Sequence, residues 1–269
     1  MNKETIAGLC LYYDTAQGEA AQLIGTACER SAQLLHQHWG LAIPADCRVY
    51  VMTSWRRFLF HSAPWPWKVY QALTLPFVAR RARQIWPYAG GWALQYGARR
   101  VVGVKPPELI ETSDRSLGEK IFIQDRDRDE IVQTVTCHEL VHAFTFHLKL
   151  PAWLHEGLAT LAMEYFLGRR IVRDETLQSA SRLSTAQKER PAGKLRVDDQ
   201  QALIAQYALG YWLTRYLAET HPELLKGVLI TRLEHTTLEE RVASAYGKDR
   251  DSFWKDINCE LISWFDRQT

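Results

Sequence analysis

HELVH at residues 138–142 and WLHEG at residues 153–157 are the two stretches of the sequence that indicate its fold and its chemistry. On a helix, side chains four residues apart lie on one face, about 6 Å from each other. His138 and His142 can therefore both reach one Zn²⁺ at the roughly 2.0–2.1 Å of an imidazole–zinc bond. Glu139 is rotated by about 100° around the helix. Its carboxylate is therefore expected beside the metal and not on it.

A carboxylate in this position can take a proton from a water activated at the zinc and pass it to a leaving amine. The alternative is that HExxH occurs by chance in a histidine-containing helix. Asp127 or Asp129 can cap the predicted helix, which is the structural context that the motif requires. The residues alone leave open whether Glu156 or its neighbour His155 supplies a third ligand.

HELVH followed by WLHEGLAT resembles the gluzincin metallopeptidases, and most closely their small bacterial members, the peptidase MA-like proteins. The resemblance covers roughly residues 120–265. It implies one Zn²⁺ per chain, held by His138, His142 and Glu156, with Glu139 as the general base. His155 is then expected to support the site or to lie on the surface.

A second part of the resemblance is the stretch YALGYWLTRYL, residues 207–217. Gluzincins often place a tyrosine here that stabilises the oxyanion. Tyr207 is the first candidate and Tyr211 the second; the alternative is that both only pack in the core. The sequence departs from thermolysin-like enzymes at Thr160, where those enzymes carry an acid that orients a zinc histidine.

The resemblance and the apolar periodicity together predict an α+β, zincin-like fold. A small mixed or antiparallel sheet with helices is expected in residues 1–126, and a helical zinc-binding subdomain in residues 127–269, with the zinc in the cleft between them. An exposed linker is expected around 182–199. The predicted strands are 48–52, 99–104 and 120–124, and the predicted helices are 15–39, about 67–86 with a break at Pro76, about 129–146, 151–167, 200–219, 222–232, 237–246 and 251–266.

In gluzincins a strand near the zinc helices often pairs with extended substrate. The resemblance makes 99–104 or 120–124 the candidate for that strand.

The composition indicates a protein without a membrane span. No run of 18 apolar residues is present, and the start lacks a basic segment followed by a long apolar one. We therefore expect a cytoplasmic protein. The five cysteines are scattered, with no CxxC spacing, which favours reduced thiols over a disulfide framework.

Charge is distributed unevenly although the net charge is only +2. No Asp or Glu occurs from Cys47 to Pro107. Half of the ten tryptophans lie in the same stretch. Its basic residues are Arg48, Arg56, Arg57, Lys68, Arg80, Arg81, Arg83, Arg99, Arg100 and Lys105.

Residues 55–105 form a basic, tryptophan-rich insertion with several interpretations. One is peripheral contact with an anionic membrane, with Trp65, Trp67, Phe77 and Trp86 at the headgroups. A second is a flap over the active site, and the plain alternative is a solvated cationic surface over a tryptophan core. The scattered charges support nucleic-acid binding only weakly, so no nucleic-acid partner is expected.

The sequence thus predicts a zinc metallopeptidase that acts on a peptide or protein. The alternative is a zinc-binding structural or regulatory protein on the same scaffold, without proteolysis. An intact Glu139 argues against this alternative, because a purely structural zinc site needs no general base.

Overall fold

A computed structural model describes residues 1–113, 118–123, 127–178 and 200–267. The architecture is mixed α and β, with one five-stranded sheet in the N-terminal part and a mostly helical remainder. This agrees with the predicted α+β class. The linker expected around 182–199 lies outside the described residues.

The sheet has the order β1-β2-β3-β5-β4. Its central strands β2, β3 and β5 are parallel, and the two edge strands β1 and β4 are antiparallel to their neighbours. The predicted strands 48–52 and 99–104 are confirmed as β3 and β5. The strands are β1 (Asn2–Ile6), β2 (Leu9–Tyr13), β3 (Cys47–Val51), β4 (Gly91–Tyr96) and β5 (Arg99–Val104).

Three strands were not predicted, for different reasons. β1 is an almost fully exposed edge strand, so its polar sequence NKETI shows no apolar alternation. In β2 the buried Leu9 and Leu11 do alternate with partly exposed residues, but over only five positions. β4 begins at Gly91, shortly after Pro87 and within the Gly90-Gly91 pair, and these residues indicate a turn.

Helices cover both faces of the sheet and build the C-terminal part. The helix predicted over 15–39 is confirmed as α1, and those predicted after residue 127 are found close to their expected bounds. The helices are α1 (Gly18–Trp39), α2 (Trp55–Ser62), α3 (Trp65–Ile85), α4 (Pro107–Ser113), α5 (Glu119–Ile121), α6 (Arg128–Thr145), α7 (Ala152–Leu167), α8 (Gln200–Thr220), α9 (Pro222–Ile230), α10 (His235–Ala245) and α11 (Arg250–Phe265).

The strand predicted at 120–124 is wrong for its described residues. The short helix α5 occupies its start, and Phe122 forms an isolated antiparallel bridge with Val172. Ile121 is buried, and only two backbone hydrogen bonds, Ile123 N to Ile171 O and Arg173 N to Ile121 O, join the two segments. The apolar run 121–123 therefore lies beside an isolated bridge and does not belong to the sheet.

The predicted break at Pro76 is also wrong, because α3 continues through this residue. Contacts on both sides of the proline hold the helix. Before it, the Trp67 ring lies 5.6 Å from the Tyr96 ring and Gln71 Nε2 donates to the Tyr96 hydroxyl. After it, Ala82 is buried. These contacts offset the hydrogen bond that the proline cannot donate.

The main core joins the sheet to the helices. On one face of the sheet, α1 and α6 pack together, and α6 also contacts β4 and β5. Behind α6 lies α7, and behind α7 lies α8. A smaller cluster around Tyr50, Phe58 and Val101 fills the other face, under α2. No helix in the described part of the chain is both long enough and apolar enough to cross a bilayer.

Candidate metal centre

Helix α6 positions the two histidines. Asp127 caps its start by accepting a hydrogen bond from Glu130 N at 2.8 Å, and acidic residues in the first turn complement the helix dipole. One turn apart in the last half of the helix, His138 and His142 point their Nε2 atoms at each other, 3.1 Å apart.

Helix α7 brings Glu156 to the same point. The sequence predicts Pro151 as the first residue of this helix; in the structure it lies one position before the helix, which begins at Ala152. The Glu156 Oε2 atom lies 3.5 Å from Nε2 of both His138 and His142. This oxygen is buried and has no hydrogen-bond partner. The structure thus brings together the three ligands that the resemblance implied.

The arrangement fits a metal ion in two respects. A tetrahedral ion with bonds of about 2.0–2.1 Å separates its ligand atoms by about 3.3 Å. The three observed separations of 3.1, 3.5 and 3.5 Å match this value. A buried carboxylate oxygen without a hydrogen bond is also costly unless a cation accompanies it. In the described part of the chain, this is the one group of three metal-ligating side chains that converges.

The electrostatics of the cluster favour a positive charge at its centre. Burial opposes the charged form of His142, but the Glu156 carboxylate outweighs it and raises the pKa of His142. Burial likewise opposes ionisation of Glu156, but His142 and His138 hold the pKa of Glu156 well below its usual value. Glu156 is therefore a carboxylate at neutral pH, which is the form that binds a metal.

Comparison of the chain with models of known protein families, with curated proteins and with solved structures found no match.

Glu139 lies beside the three ligands and is buried at the wall of a cleft that β4 borders. Burial raises the pKa of this carboxyl, and the two histidines oppose the rise. A Cβ atom on Gly91 would lie 2.6 Å from Cγ of Glu139. The absence of a side chain at Gly91 is therefore what allows β4 to approach Glu139.

Of the two candidate tyrosines, the structure brings only Tyr207 to the centre. Its ring stacks at 6.3 Å on the His138 ring, and it lines the cleft. Burial, followed by the Glu156 and Glu139 carboxylates, raises the pKa of Tyr207 well above its usual value, so the hydroxyl keeps its proton.

Tyr211 lies in a different environment, one turn later on α8. Its hydroxyl donates to Glu164 and accepts from Arg215 at 2.8 Å. Arg215 in turn pairs with Glu164 at 2.8 Å. These three side chains link α8 to α7. The Tyr211 hydroxyl is therefore bound to Glu164 and Arg215 and not to the side chains of the metal centre.

His155 contacts His142 but is not one of the three side chains that converge. Its Nε2 lies 3.2 Å from Nδ1 of His142, and its ring packs against Phe146. Burial and the His142 ring lower the pKa of His155 to about 3, so His155 is neutral. If Nε2 of His142 binds a metal, its Nδ1 carries the proton and donates to His155. The residue pattern did not show this contact, because it depends on how α6 and α7 cross.

Thr160, at the position of the acid in thermolysin-like enzymes, and Glu164, one turn later on α7, are both bound to other groups. Thr160 donates its hydroxyl to the backbone oxygen of Glu156 at 2.9 Å, and Glu164 is bound by Tyr211 and Arg215. His155 occupies the role that a carboxylate fills elsewhere.

The cleft around the centre has two parts. An outer cavity of about 590 Å³ runs along β4 and reaches Phe77 and Arg81 of α3. A smaller cavity of about 190 Å³, the inner cavity, also borders Glu139 and is mostly apolar. His138, Glu139 and Tyr207 line both cavities. The side chains that line only the inner cavity include Ile110, Ile121, Ile131, Val135, Met163 and Leu203.

Proposed function

We propose that this protein is a zinc-dependent metallopeptidase of the gluzincin type, which hydrolyses peptide bonds with Glu139 as general base. The observation that carries the proposal is the convergence of His138, His142 and Glu156 on one point, beside Glu139, in an open cleft. Two imidazoles and one carboxylate are the ligand set of catalytic zinc in several peptidases. Three protein ligands leave a fourth position free for water or substrate.

The residues of the chain divide the chemistry between them. Zinc, when bound, acts as a Lewis acid that activates water and polarises the scissile carbonyl. Glu139 takes the proton from the attacking water; its raised pKa suits a base that must later return the proton to the leaving amine. Tyr207, which stays protonated, donates a hydrogen bond to the developing oxyanion.

The cleft favours an extended peptide. The resemblance made 99–104 a candidate for the strand that pairs with substrate, but this strand is β5, which β3 and β4 cover on its two sides. Among the described strands, β4 lies at the edge of the sheet next to β5 and borders the outer cavity. Unpaired backbone groups along such an edge bind an extended chain by strand addition. The apolar inner cavity beside Glu139 would accept an apolar side chain next to the cleaved bond.

The test is cleavage of a diverse peptide library by the zinc-loaded protein, read by mass spectrometry. Glu139→Gln should bind zinc as the wild type does and cleave at least a hundredfold more slowly. Glu29→Gln, on the exposed face of α1, is the matched control and should cleave normally. Zinc binding without cleavage in any of the three proteins would refute the peptidase proposal and favour the non-proteolytic alternative.

A further inference from the structure

The outward face of α3 is apolar over its first three turns. Trp65 and Leu73 are each 76% exposed and Phe77 is 82% exposed. Val69 and Tyr70 lie between them and are also exposed. Spacings of four residues place Val69, Leu73 and Phe77 on one side of the helix. A contiguous exposed apolar face of this kind marks an interaction site on a protein surface.

The last turns of the same helix carry only positive charge. Arg80, Arg81 and Arg83 are exposed, and within the described residues no carboxylate pairs with them. Two described carboxylates pair with arginines of the basic stretch that lie outside α3: Asp14 contacts Arg57, and Asp46 contacts Arg48 and Arg99. The helix therefore presents aromatic and aliphatic side chains next to uncompensated arginines.

We propose that this face of α3 docks on the surface of a lipid bilayer that contains anionic lipids. Tryptophan, tyrosine and phenylalanine side chains insert at the level of the headgroups, and neighbouring arginines attract anionic lipid. Because no acidic residue occurs between Cys47 and Pro107, no part of this stretch repels such a surface. Charge complementarity thus selects an anionic membrane over a neutral one. The proposal does not depend on the metal centre.

Of the four residues expected at the headgroups, Trp65 and Phe77 belong to the docking face, whereas the Trp67 ring packs 5.6 Å from the Tyr96 ring. Trp86 was expected at the headgroups, but its ring packs against Trp92 at 5.9 Å and is partly buried. Phe77 and Arg81 both belong to α3 and line the mouth of the outer cavity. Docking through α3 would therefore place the entrance of the cleft next to the lipid headgroups.

The test is sedimentation of the full chain with sucrose-loaded vesicles of phosphatidylcholine alone or with phosphatidylglycerol. The wild type should bind the anionic vesicles at least tenfold more tightly than the neutral ones, and added salt should weaken the binding. Leu73→Glu removes an apolar contact, and Arg80→Glu with Arg83→Glu reverses charge. Each should weaken binding at least tenfold. None of these residues lines the cleft.

Matched controls lie on and just after α9, outside the basic stretch. Ile230→Glu replaces an apolar side chain that is 75% exposed on α9, and Arg232→Glu replaces an exposed arginine nearby. Both should bind vesicles as the wild type does. Wild type that stays in the supernatant with anionic vesicles at low salt overturns the proposal. So does a Leu73→Glu variant that binds normally, or a wild-type dimer that Leu73→Glu dissociates, because a second copy would then cover the face.

Discussion

The closest approach between α7 and α8 makes Gly157→Ala the most informative single substitution for the fold around the site. A Cβ atom at Gly157 would lie 2.6 Å from the carbonyl carbon of Gly210 and would also overlap the Gly210 oxygen and the Thr214 hydroxyl. Ordinary contact begins at 3.4 Å. The obstructing atoms include backbone, so no side-chain rotation relieves the overlap and the two helices must separate.

The cost follows from two opposing effects. Overpacking of this kind destabilises a protein by about 1–3 kcal/mol, occasionally more. The higher helix propensity of alanine offsets up to about 1 kcal/mol of this loss of stability. We expect Gly157→Ala to lower the free energy of unfolding by about 2 kcal/mol, and the melting temperature by roughly 4–8 °C for a chain of this size. Tyr207 lies one turn before Gly210, so separation of the helices should also reduce peptide cleavage.

Gly227→Ala is the control for the propensity effect. Gly227 lies inside α9, and nothing is within 4 Å of a Cβ atom placed there. This variant should be more stable than the wild type by up to about 1 kcal/mol. Urea or thermal denaturation of the three proteins measures both values. A Gly157→Ala protein as stable as the wild type would refute the packing described for α7 and α8.

Three further predictions separate the roles of individual side chains. Tyr207→Phe should lower kcat for peptide cleavage by about a hundredfold and leave zinc affinity unchanged. Tyr211→Phe should lower the free energy of unfolding by about 1–3 kcal/mol and leave kcat unchanged. The reverse outcome would exchange the roles of the two tyrosines. His155→Ala should weaken zinc affinity, measured by competition with a chelator, by about 10–100-fold, and the exposed His147→Ala should not. Burial lowers the pKa of Lys105 from 10.5 to about 8, so the folded protein releases this proton before the unfolded chain does. Stability should therefore rise from pH 8 toward pH 10.5 by at most about 3 kcal/mol relative to Lys105→Met, and equal pH dependence in both proteins would contradict this.

Local patterns in the sequence predicted the parts of the site that lie on single helices. The spacing of His138 and His142, the cap at Asp127 and the start of α7 directly after Pro151 all depend on residues close together in the chain. The structure also brings Glu156 to the histidines, as the resemblance implied.

The remaining features depend on contacts between distant segments. The position of β4 at the sheet edge follows from pairing with β5, and turn residues hide the strand in the sequence. The glycines of α7 and α8 acquire their meaning only where the two helices cross. The resemblance ranks Tyr207 before Tyr211, but only contacts with other helices separate them in the structure: Tyr207 stacks on His138, and Tyr211 donates to Glu164.

The central claim is that one zinc ion binds between His138, His142 and Glu156. X-ray absorption at the zinc edge, on protein loaded with one equivalent of zinc, tests it most directly. We expect only nitrogen and oxygen ligands at about 2.0–2.1 Å, and loss of this site in Glu156→Ala. A sulfur ligand at about 2.3 Å, which would place the metal on one of the cysteines, or a spectrum unchanged by Glu156→Ala would refute binding at these three residues.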